Sequence, residues 1–66
     1  METHKLVRVF PEGESWMVSY LGGYVQYGYG NRADAEHAAK TIAQSRRPST
    51  VRLVNGDGET EYELTY

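Results

Sequence analysis

The glycine pair Gly22-Gly23 restricts the fold of this chain more than any other feature. It stands between two stretches rich in aromatic and β-branched residues, Trp16 to Leu21 and Tyr24 to Tyr29. Two consecutive residues free to take positive φ are what a two-residue hairpin loop of the primed type requires. Such a loop fixes the register by counting outward. Leu21 faces Tyr24, Tyr20 faces Val25, Ser19 faces Gln26, Val18 faces Tyr27, Met17 faces Gly28 and Trp16 faces Tyr29. Side chains alternate along a strand, so these pairs divide between two faces. One collects Trp16, Val18, Tyr20, Val25, Tyr27 and Tyr29, all large and apolar or aromatic. The other collects Met17, Ser19, Leu21, Tyr24, Gln26 and Gly28, a mixed set. A slip of one residue would mix the two faces and lose the burial, so the first set is expected to be core.

The other elements follow from periodicity and turn chemistry. Lys5 to Phe10 reads as a strand with Val7 and Val9 inward, ended by the turn residues Pro11-Glu12-Gly13-Glu14. Asn31 opens a helix over about 32–46, with Asp34 at the position that returns the cap bond and Pro48 as the stop. Ala35, Ala38, Ala39 and Ile42 form its apolar stripe, bordered by Ala43. Thr50 to Val54 and Glu59 to Tyr66 read as strands joined by the hairpin turn Asn55-Gly56-Asp57-Gly58. The expected fold is a single α+β domain over 1–66, frayed at 1–4. Its order is β-β-β-α-β-β, an antiparallel sheet with one helix packed on one face.

Composition narrows the function. With no cysteine among 66 residues, disulfides and thiolate metal sites are excluded. No apolar run is long enough for a signal peptide or a membrane span, which predicts a cytoplasmic protein without a membrane partner. Seven Lys and Arg against nine Asp and Glu give a net charge of -2, without the basic field on which nonspecific nucleic-acid binding rests.

The order of these elements resembles a family of small uncharacterised bacterial and archaeal domains, a domain of unknown function. The shared features are a Trp-x-Val strand (Trp16-Met17-Val18) and an aromatic before a capped helix (Tyr29 with Asn31). An acidic-Ala pair opens the helix (Asp34-Ala35), and its turns are Ala-rich (Ala38-Ala39, Ile42-Ala43). The family's closing hairpin corresponds to Asp57-Gly58 and Tyr66. The likeness spans about Val7 to Tyr66, with Asn31 standing where Thr is commoner, and it implies the fold without supplying an activity. A looser similarity, over roughly Leu6 to Arg46, is to the sheet-plus-helix DNA-binding domains of integrase arms and AP2-type factors. It implies contact through the sheet face away from the helix, where Arg8 would sit.

Chemistry-bearing residues are sparse. His4 and His37 lack a second ligand at helical spacing, so no metal is expected. Glu59, Glu61 and Glu63 form a flat row that does not converge on a cation and suits a charged edge strand. No hydroxyl or carboxylate has an evident base partner, so neither an enzyme, a cofactor nor a small-molecule substrate is expected. The expected function is a noncatalytic binding or structural module. It would engage a protein partner or a second copy through the open sheet face, with Met17, Leu21, Tyr24, Gln26 and Val54 as the interaction face, or through the acidic edge. The alternative is nucleic-acid contact by the same face, aided by Arg8, Arg46, Arg47 and Arg52.

Overall fold

The computed structural model describes residues 4–66. Of the expected frayed terminus, 1–3 lie outside the described residues. His4 is exposed, with its Nε2 at 2.6 Å from the Thr50 hydroxyl. The elements in chain order are β1 (Lys5–Glu12), β2 (Ser15–Tyr20), a short 3-10 turn (Leu21–Gly23), β3 (Val25–Tyr29), α1 (Arg32–Ser45), β4 (Ser49–Val54) and β5 (Thr60–Thr65).

The class is α+β, with one helix and one five-stranded sheet, but the purely antiparallel expectation is corrected. The spatial order is β3-β2-β1-β4-β5, and β1 pairs β4 in parallel while the other three ladders are antiparallel. The single helix is the physical reason. The meander β1-β2-β3 leaves β3 pointing the same way as β1. A 14-residue helix spans about 21 Å, close to the length of one strand, so α1 returns the chain to the end where β3 began. The next strand must then start there and run parallel to β1, whose outer edge the meander leaves open.

The hairpin register is as the glycine pair dictates, from Trp16↔Tyr29 through Tyr20↔Val25. The turn departs from a two-residue loop. Leu21 has φ 56°, Gly22 and Gly23 are also left-handed, and Tyr24 is helical in its backbone. The strands therefore stop at Tyr20 and Val25, one residue earlier on each side. Leu21 and Tyr24 belong to the loop, which the Tyr24 amide closes by donating to the Leu21 carbonyl at 3.1 Å.

The core lies between the sheet and α1. Val7, Val9, Val18, Val51 and Leu53 are fully buried, and Ala35, Ala39 and Ala43 meet them. The buried stripe is thus i, i+4, i+8, with Ala38 and Ile42 on its flank, a small rotation from the expected stripe. Alanines there bring the helix axis close to the sheet, so valine-sized partners fill the gap. Trp16, Val25, Tyr29, Tyr62 and Tyr66 pack around that centre. Tyr27 shares their face but remains 48% exposed, because β3 is an edge strand of the sheet. The Asn31 side chain caps α1 by accepting from the Asp34 amide at 2.9 Å. Its own amide group donates to the Asp34 carboxylate at 3.2 Å, so the return bond reaches the side chain instead of the cap backbone.

Candidate interaction surface on the open sheet face

Alternation about the buried Val7 and Val9 turns Leu6, Arg8 and Phe10 to the face opposite the helix. The registers add Met17 and Ser19 from β2, Gln26 and Gly28 from β3, and Thr50 and Arg52 from β4. Leu6, Phe10 and Met17 are half-buried, and Ser19 is buried. Met17 lies against Gly28, where a Cβ would stand 3.4 Å from the Met17 sulfur, at ordinary contact distance.

Two adjoining depressions lie at the hairpin end of this face. The first, of about 290 Å³, is lined by Leu6, Arg8, Phe10, Ser19, Tyr20, Gly22, Gly23 and Gln26. The second, of about 310 Å³, is lined by His4, Lys5, Leu6, Leu21 and Gly22. Leu6 and Gly22 belong to both, so the two form one groove between β1 and the hairpin turn. Arg8 lies with its guanidinium carbon 5.2 Å from the Phe10 ring centroid, a cation-π contact. Among the described residues no carboxylate is paired with Arg8.

The expected interaction face is only partly assembled. Met17 and Gln26 are on the open face, and Gln26 donates to the Gly23 carbonyl at 3.3 Å. Leu21 and Tyr24, 48% and 94% exposed, project from the turn. Val54 is buried beside the irregularity in the β4–β5 ladder and offers little exposed surface.

The four arginines are divided. Arg8 and Arg52 are register neighbours on the open face, and Arg52 pairs with Glu63 at 2.5 Å. Arg46 sits over the Tyr20 ring at 5.0 Å and Arg47 over the Tyr66 ring at 5.9 Å, where α1 ends. Exposed pairs of this kind contribute about 1 kcal/mol or less each.

The acidic row is divided as well. Glu63 faces Arg52, Glu61 accepts from Arg32 at 3.2 Å, and Glu59 falls in the turn before β5. Asn55 organises that turn, accepting from the Asp57 and Glu59 amides at 2.9 and 3.0 Å. His37 is exposed on α1.

The most perturbed titratable groups form a cluster on the helix side that sequence spacing does not reveal. The Tyr62 hydroxyl donates to Glu36, and Arg32 donates to the same carboxylate at 3.0 Å. Hydrogen bonding from Tyr62, reinforced by Arg32, holds the Glu36 carboxyl below the usual carboxylate range. Burial, with Glu36 beside it, pushes the Tyr62 phenol up to about 12. Arg32 also rests over the Trp16 ring at 5.8 Å. These groups satisfy one another and line neither depression, so they tie β5 to α1. Leu6, Phe10 and Lys5 were also missing from the expected face, although the alternation around Val7 and Val9 carries the signal for Leu6 and Phe10.

Comparison with protein-family models, curated proteins and solved structures finds no match. Among the described residues no helix is long and apolar enough to cross a membrane.

Proposed function

We propose that this chain is a noncatalytic interaction module that joins a second copy of itself through the β2–β3 hairpin and the free edge of β3. One observation carries the reading. Of the four large exposed hydrophobic residues among those described, Leu21, Tyr24 and Tyr27 belong to this hairpin and Leu64 lies on β5. The two sheet edges also differ in chemistry. β5 bears Glu61 and Glu63, the charged character that discourages strand addition, whereas β3 reads VQYGY with neither a charge nor a proline. Two copies meeting antiparallel along β3 would bring no like charges together and would cover the exposed rings. This reading prefers β3 to the acidic edge as the site of self-association.

Nucleic-acid contact draws less support, because Arg46 and Arg47 stack on rings at the end of α1 while Arg8 and Arg52 lie on the open face. The cysteine-free composition suits a reducing, cytoplasmic setting.

Size-exclusion chromatography with light scattering tests the proposal. A dimer is expected at high micromolar concentration, and Tyr27→Glu, which gives β3 the acidic character of β5, is expected to shift it to monomer. A wild-type chain that stays monomeric throughout, or a dimer indifferent to Tyr27→Glu, would overturn it.

A further inference from the structure

The groove between β1 and the hairpin turn has a chemistry of its own, and it does not rest on self-association. The chain carries net charge -2, yet among the described residues no Asp or Glu lines the groove, and Arg8 does. The topology explains the segregation. Glu12, Glu14, Asp57 and Glu59 lie in or beside the two turns at the far end of the sheet, and Asp34 lies in the first turn of α1 at that same end. Glu63, on the open face, is held by Arg52, and Arg46 and Arg47 lie on the helix side over the Tyr20 and Tyr66 rings. Arg8, exposed and without a paired carboxylate among the described residues, is therefore the charge that the groove offers an anionic partner.

Within the groove the two depressions divide the work. Arg8, Ser19 and Gln26 all line the first, and the guanidinium, hydroxyl and amide are groups able to donate to an oxyanion. The second is mainly apolar in its side-chain walls, with Leu6 and Leu21. Leu6 and Arg8 are two residues apart on one strand face, about 7 Å, which is also the repeat of side chains along one face of any extended peptide.

We propose that this groove binds an extended peptide segment of a partner protein that presents a carboxylate and an aliphatic side chain two residues apart. The carboxylate pairs with Arg8 and accepts from Ser19, and the aliphatic side chain packs between Leu6 and Leu21. Arginine suits the first role because its fork of donors matches the two oxygens of a carboxylate. A nucleic-acid strand fits less well. Among the described residues its phosphates would find Arg8 as the one guanidinium lining the groove, and the Phe10 ring is already covered by that same group.

The test is a titration of the full chain, followed by amide NMR, with the blocked peptide serine-leucine-serine-glutamate-serine. Its glutamine counterpart and a short oligothymidine serve as the other arms. Saturable shifts at Leu6, Arg8, Leu21 and Gly22 are expected with the glutamate peptide alone. Arg8→Gln, a substitution at an exposed position, is expected to weaken binding roughly tenfold, with Arg8→Lys intermediate. Running the series also on Tyr27→Glu separates the groove from the β3 edge, since Tyr27 does not line the groove. Three results would each overturn the proposal: equal binding of the glutamine peptide, no shift up to the solubility limit, or oligothymidine moving the same amides at lower concentration.

Discussion

Leu21 carries a backbone conformation that leucine disfavours. Its φ of 56° places Cβ against the following carbonyl, a penalty of roughly 1–2 kcal/mol that glycine avoids. Gly22 and Gly23 already absorb the tight part of the turn without that penalty. Leu21 nevertheless stands half exposed at the mouth of the groove, so its side chain adds little burial in exchange. Leu21→Gly is therefore expected to raise the unfolding free energy by about 0.5–1 kcal/mol, after the entropy glycine returns to the unfolded chain. Urea denaturation followed by Trp16 fluorescence reads this directly, and a loss of stability would show that the leucine side chain packs more than its exposure indicates. At this scale the chain is largely legible from sequence. Val7, Val9, Asn31 and the glycine pair each act through local chemistry or strand alternation, which spacing reveals. Leu21 was not legible, because a two-residue loop with ordinary strand ends predicts no strain there.

At the scale of elements, the union of β5 with α1 depends on four side chains. Glu36 receives both the Tyr62 hydroxyl and Arg32, and Arg32 also reaches Glu61. Folding lowers the Glu36 pKa, chiefly through the Tyr62 hydrogen bond. Its contribution to stability is complete above the unfolded carboxylate value and is lost as pH falls through the lower folded value. Tyr62 acts at the opposite limit. Its pKa is raised to about 12, so its contribution is complete below the ordinary tyrosine value of about 10 and fades as pH rises through the folded value. Tyr62→Phe removes the hydrogen bond to a charged, half-buried acceptor and is expected to cost about 1–2 kcal/mol near neutral pH. It should also flatten both pH limbs, measured as urea midpoints at acidic, neutral and strongly alkaline pH. A uniform loss at every pH would mean that only ring packing had been disturbed. Sequence could not supply this cluster: Glu36 and Tyr62 are 26 residues apart, and only the docking of β5 beside β4 brings them together.

For the whole molecule, the decisive arrangement is the central pair β1 and β4, which sequence reading left unpaired. Hairpins announce themselves through their turns, but a parallel ladder is set by where the helix delivers the chain and leaves no local mark. The same docking places Leu53 beneath α1, with no exposed surface, among Val7, Val9 and Val51. A domain of this length has a total stability of roughly 3–10 kcal/mol, and it buries only about 60% of the surface its unfolded chain exposes. Removing a buried leucine side chain costs about 2–5 kcal/mol, since the cavity left behind closes only in part. Leu53→Ala should therefore consume a large share of the folding free energy and lower the melting temperature by ten degrees or more, at roughly 4–8 °C per kcal/mol. Leu64 provides the internal control. It faces the same side of the sheet from the edge strand but is 36% exposed, so Leu64→Ala removes less buried surface and should cost no more than about 1–1.5 kcal/mol. Thermal melts of the two variants read the contrast. Equal losses would mean that the centre of the core does not lie over β1 and β4, and that the sheet order is stabilised from its edges.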